Sequence, residues 1–146
     1  MGFGTEILFI VIPRTIETVN QELIGEARKE RCSYIAGDFF DSVPEGADAY
    51  LLCGVIHDWD DDRAVAILRN CRRAMAKNGR VLLVDMVVPE NDANSFTKLL
   101  DLNMLVMNGG REHTKSDFGA LPAAVDYKHT RIIPTIAPQS IVEAIG

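Results

Sequence analysis

Cysteine is scarce in this chain: three in 146 residues, at Cys32, Cys53 and Cys71, with no Cys-x-x-Cys pair. An odd number at such wide spacing supports neither a disulfide framework nor a zinc site, and it points to the reducing cytoplasm. Histidine is equally rare, and His57, His113 and His129 lie in unrelated segments, which argues against a metal centre. An excess of positive charge is also missing. With a formal net charge of -6 and basic residues set among acids on helical stretches, the chain would repel a phosphate backbone, so nucleic acid is not expected as a partner. The apolar run at residues 7–12 is far shorter than the ~20 residues of a membrane helix, so no membrane role is expected and the run reads as a strand rather than a signal.

What is present is apolar material for one core: 47% of residues are hydrophobic and 25% charged. The length suits a single globular domain spanning 1–146. Residues 7–12 (ILFIVI), closed by Pro13, form the continuous β-branched run of a strand buried in a parallel sheet. Ile16, Val19, Leu23, Ile24 and Ala27 recur at helical spacing across 14–30. Short strands are expected at 32–36 and 47–52.

Asp60, Asp61 and Asp62 then open a helix whose apolar stripe is Val65, Leu68, Cys71 and Met75, whose last turn is basic, and which stops at Gly79. A strand at 80–88, a helix over 96–107 and a shorter helix capped by Thr114 and disturbed at Pro122 follow. Two strand-like runs, 127–136 and 140–145, separated by Pro138, form an antiparallel hairpin. The order β-α-β-β-α-β-α-α-β-β makes an α/β sandwich with a mostly parallel sheet and an antiparallel edge.

In such sheets ligands bind beyond the carboxyl ends of the strands. Asp38, His57, Trp59 and Asp85 all follow or end a strand, and Glu112 lies in the loop after the long helix. Taken alone, each residue has a plainer reading. His57 would bond a nearby carbonyl, Trp59 would anchor the core, Asp38 would close a turn, and the run 58–62 would be the charged start of a helix.

Five motifs change the balance: GDFF at 37–40, HDWDD at 57–61, LRNCRRAM at 68–75, LLDLNMLV at 99–106 and GGREHT at 109–114. In this order they resemble the C-terminal catalytic domain of the S-adenosylmethionine-dependent small-molecule O-methyltransferases, which methylate phenols, hydroxyindoles and polyketides. The resemblance implies a Rossmann-like methyltransferase sheet, with S-adenosylmethionine as cofactor and a small hydroxylated acceptor. It implies His57 as general base, flanked by Asp85, where a glutamate is usual, and Glu112. Asp38, Phe39, Cys53 and Trp59 match cofactor positions. Asp58, Met104, Met107 and Asn108 match acceptor positions.

The chain also departs from the family pattern. Set beside that pattern, the 146 residues are expected to lack the first, central strand with its glycine-rich turn, apart from a remnant at 2–5 (GFGT), and the N-terminal dimerisation domain. Ile10 stands where an acid usually meets the ribose, and Cys53 where a lysine is common. A sheet without its central strand leaves unpaired backbone groups, which points to a homo-oligomer with exchanged or edge-paired strands. Two functions follow: an O-methyltransferase, or a non-catalytic relative that keeps the fold, acts through association and has impaired cofactor binding.

Overall fold

Short β-branched runs buried on both faces pair side by side in parallel when a helix-length segment joins them. The computed structural model describes residues 7–11, 32–91, 96–107 and 109–146. The helix expected at 14–30 lies outside the described residues. Two compact units divide the chain, Met1–Val43 and Pro44–Gly146.

In the first unit, β1 (Ile7–Val11) pairs in parallel with β2 (Cys32–Ala36), Ile7 opposite Cys32 and Val11 opposite Ala36. A turn follows, closed by the Asp41 and Ser42 N–H groups donating to the Asp38 carbonyl at 3.0 Å each.

The second unit holds a four-stranded sheet in the order β3-β4-β8-β7. Strand β3 (Ala49–Cys53) runs parallel to β4 (Arg80–Asp85), and β8 (Ser140–Ile145) is antiparallel to both β4 and β7 (Lys128–Pro134). The C-terminal hairpin is therefore present as expected, beside a parallel pair. Among the described residues, β3 is paired with β4 alone and β1 with β2 alone.

Alternation along β4 decides which residues enter the core. Val81, Leu83 and Asp85 all point inward, so the same period of two that buries two aliphatic side chains also buries a carboxylate. The run expected as one strand over 80–88 breaks at Met86, and its end, β5 (Val87–Val88), pairs instead with β6 (His113–Thr114).

Helix α1 (Asp61–Ala74) begins where Asp60 accepts the Arg63 N–H at 2.9 Å. Its buried face is Ala64, Ile67, Leu68 and Cys71, with Val65 only half-buried, so the face is turned slightly from the expected stripe. It packs on β4 and on α3 (Lys115–Ala123), and the Tyr127 hydroxyl donates to the Leu68 carbonyl at 3.1 Å. Thr114 caps α3 in a reciprocal box with Asp117, and Pro122 sits in the last turn, where the helix stops at Ala123.

Helix α2 (Phe96–Met107) has no buried residue; Phe96, Leu99, Leu102, Leu105, Val106 and Met107 are all exposed. Its two charged side chains are engaged elsewhere, Lys98 donating to the Asn91 carbonyl at 2.7 Å and Asp101 accepting from Glu112.

The contrast between α1 and α2 is measurable. Leu68→Ala removes a fully buried side chain and is expected to cost about 2–5 kcal/mol in urea unfolding, whereas Leu102→Ala on the exposed face changes stability by less than about 0.5 kcal/mol. Equal losses at the two sites would contradict the assigned core.

Candidate active site

Strand β3 ends at Cys53, and the chain reverses through Gly54, whose φ of +62° a side chain rarely adopts. The Gly54 N–H donates to the Val84 carbonyl of β4 at 3.0 Å, which ties the reversal to the sheet. A single 3-10 turn, Ile56–Asp58, follows. Ile56 is fully buried and anchors the turn, leaving His57 half-buried and its ring turned to the strand ends.

Asp85 reaches this ring from the end of β4. Glu112 reaches it from the loop before β6, and the parallel pairing of Val87 with His113 is what brings the two acidic segments side by side. The His57 Nδ1 lies 3.3 Å from Glu112 Oε1 and 3.5 Å from Asp85 Oδ1, with both carboxylates buried. The contacts lack the alignment of full hydrogen bonds, leaving His57 Nδ1, both Asp85 oxygens and Glu112 Oε2 without a hydrogen-bond partner. Looseness of this kind is common in catalytic sites before substrate binds. On the other side of the ring, Nε2 is 3.6 Å from Asp58 Oδ1.

The electrostatics follow from this geometry. The Glu112 carboxylate, helped by Asp85 and Asp58, raises the His57 pKa above its ordinary value against the opposing effect of burial. Burial pushes the Asp85 carboxyl up to about 7, reinforced by repulsion from Glu112 and Asp58 and opposed by His57. An imidazole with one nitrogen facing two acids and the other turned away from them is suited to taking up a proton.

The loop that carries Glu112 is itself held. The Glu112 N–H donates to Asp101 Oδ1 of α2 at 2.8 Å. Arg111 forks onto Asp61, Nε to Oδ1 and Nη2 to Oδ2 at 2.9 Å each, and Nη2 reaches Asp117 at 3.0 Å. The buried His113 ring lies with Nε2 3.4 Å from Asp61 Oδ1, and desolvation together with Arg111 lowers its pKa. A Cβ on Gly110 would fall 2.1 Å from the His57 carbonyl oxygen, so only glycine lets this loop approach the His57 backbone. Asp61, Asp101, Arg111 and Asp117 were not singled out from sequence. The Thr-x-x-Asp spacing of the α3 cap and the glycine pair at 109–110 are the signals that mark the loop.

Of the other expected site residues, Trp59 is half-buried with the Arg63 guanidinium 5.3 Å from its ring centre, and Asp58 is partly exposed. Cys53 is exposed and unpaired. Met104 is half-buried and Met107 exposed on α2, while Asn108 lies outside the described residues. In the first unit, Asp38 is exposed and accepts the Phe40 N–H at 2.8 Å, and Phe39 is buried edge-to-face against Phe40 with ring centres 5.0 Å apart.

A carboxyl whose folded pKa is raised supports the fold while protonated, and that support is lost as pH climbs from the unfolded value of about 4 to about 7. Asp85→Asn removes this loss. The variant is expected to match the parent at pH 4 and to exceed it at pH 8 by on the order of 2 kcal/mol in chemical unfolding. Parallel pH–stability curves would show that Asp85 is not held in its neutral form.

Residues 4–128 match the model of the O-methyltransferase domain. The chain is 43% identical over 132 residues to the phenazine O-methyltransferase PhzM of Lysobacter antibioticus, covering 90% of this chain and 39% of that protein. It is 41% identical to the mitomycin biosynthesis 6-O-methyltransferase of Streptomyces lavendulae, covering 90% of this chain and 38% of the relative. Among solved structures, the SAH-bound form of CalO1, a methyltransferase of calicheamicin biosynthesis, superposes with a TM-score of 0.85 at 31% identity, over 94% of this chain and 42% of CalO1. The chain thus spans about two-fifths of the length of the curated relatives it matches, and it belongs to the family of S-adenosylmethionine-dependent O-methyltransferases as a member of their catalytic domain.

Proposed function

We propose that the chain carries the acceptor-side chemistry of an O-methyltransferase acting on a hydroxyl of a small aromatic or polyketide-like molecule, with His57 as general base. The observation that carries this reading is the pairing of His57 Nδ1 with Glu112 and Asp85 at 3.3 and 3.5 Å. With Nδ1–H directed at the acids, Nε2 keeps its lone pair for the proton of the acceptor hydroxyl. As the acceptor oxygen attacks the methyl carbon, its proton passes to Nε2, and the two carboxylates stabilise the imidazolium that forms. Asp58 beside Nε2, with Met104 and Met107 of α2, would line the acceptor's place, and thioether side chains suit a flat ring.

When bound, S-adenosylmethionine supplies the methyl group on a positively charged sulfur. The residues fit it in part. Asp38 and Phe39 in the first unit, and separately Trp59 in the second, match family positions that meet its adenine end, and Asp38 offers an exposed carboxylate just after a strand. The ribose position has Ile10 in place of an acid, and Cys53 stands where a lysine is common. This weakened donor side favours a second reading, in which the chain is a non-catalytic relative that keeps the fold and acts through association. Isothermal titration with S-adenosylmethionine separates the two. Binding accompanied by methyl transfer that is lost at least 100-fold in His57→Ala, with little change in donor affinity, is the expected result. In the active chain the rate rises with pH through a value above 6.5, because the base works only when neutral and its neighbours raise its pKa. No heat at millimolar donor, or full activity in His57→Ala, would overturn the catalytic reading.

The side of β3 that has no partner among the described residues and the exposed apolar face of α2 support a homo-oligomer, strand-exchanged or edge-paired. Sedimentation velocity is expected to give a dimer or larger species that dissociates on dilution. A monomer at every concentration would contradict this assembly.

A further inference from the structure

The Arg111–Asp61 pair is unusual for an ion pair at the protein surface. Both groups are substantially exposed, at 41% and 51% of their side-chain area, so the pair adds little to global stability. Its geometry is nonetheless bidentate, with Nε and Nη2 donating to the two oxygens of one carboxylate and Nη2 also donating to Asp117. A planar fork of this kind fixes orientation more than it supplies energy.

What it orients is the next residue. Asp61 is the first residue of α1, four positions beyond His57, and Asp117 is locked into the α3 cap by the Thr114 N–H at 2.9 Å and hydroxyl at 2.7 Å. Arg111 therefore spans two rigid helix starts. From this span the chain runs directly into Glu112, whose carboxylate meets His57 and whose N–H meets Asp101. We propose that Arg111, forked between Asp61 and Asp117, is a positioning residue that holds the Glu112 carboxylate against His57 Nδ1. The proposal rests on the general-base reading of His57 and extends it by naming what sets the base's partner in place.

The sign of the expected change distinguishes positioning from simple charge. The groups facing His57 are Asp58 of its own turn, Asp85 of β4 and Glu112 of the loop. Removing a nearby cation without moving anything would raise the His57 pKa or leave it unchanged. Displacing Glu112 from Nδ1 lowers it, because the largest cause of its elevation is lost.

The test is an NMR titration of the imidazole carbon signals in the parent chain, Arg111→Lys, Arg111→Ala, Asp61→Asn and Glu112→Gln, with thermal melting of each. The His57 pKa is expected to fall by about 0.5–1 unit in Arg111→Lys, which keeps the charge and loses the fork, and to fall likewise in Arg111→Ala, while the melting temperatures stay within a few degrees. A His57 pKa unchanged or raised in a folded Arg111 variant would overturn the proposal. If Arg111→Ala does not fold, Arg111→Lys and Asp61→Asn decide the question in the same way. Glu112→Gln separates the levels: if it leaves the His57 pKa unchanged, the His57–Glu112 contact itself fails, whereas a fall in Glu112→Gln with none in Arg111→Lys removes only the positioning role.

Discussion

Burying a carboxylate costs several kcal/mol unless it is paired, and this chain buries two of them, Asp85 and Glu112, against one imidazole nitrogen. The cost is only partly met, since both Asp85 oxygens and one Glu112 oxygen have no hydrogen-bond partner. Much of the second unit exists to keep these groups together. The alternation of β4 drives Asp85 inward with Val81 and Leu83, the short β5–β6 pairing draws Glu112 alongside, and Gly54 and Gly110 let the intervening backbones come close enough. Buried acids left partly unpartnered in this way are what single out the site as the candidate for chemistry.

Away from the site, the architecture is more conventional and also less complete. The four-stranded sheet is closed at one end by the β7–β8 hairpin, where Glu143 is held between Arg80 and Arg131. At the other end β3 has a partner on one side alone among the described residues. His57, Asp85 and Glu112 are assembled at the strand ends of this sheet, on the β3–β4 side.

Features governed by local chemistry were legible in the sequence. The start of α1 at its aspartates, the Thr114 cap, the span of α2 and the C-terminal hairpin all follow from capping groups, turn residues and periodicity within a few positions. So was the trio His57, Asp85 and Glu112, through motif order. The break at Met86 was not legible, because Val87 and Val88 read as a continuation of β4 until His113 and Thr114 compete for them. Nor was the Arg111 fork, whose partner Asp61 lies 50 positions away and looks, in sequence, like one more acid at a helix start. The buried face of α1 was displaced toward Ala64 and Ile67 because α3 packs on it from a direction that periodicity alone does not give.

The central claim is that two buried acids hold the His57 ring through Nδ1 and so keep Nε2 as the basic nitrogen. The direct measurement is the pair of ring 15N chemical shifts of His57 in the folded chain above its titration. The account predicts a protonated Nδ1 and a bare, pyridine-like Nε2, with the pattern moving toward a mixture when Glu112 is replaced by glutamine. A proton resident on Nε2 in the parent chain would contradict it.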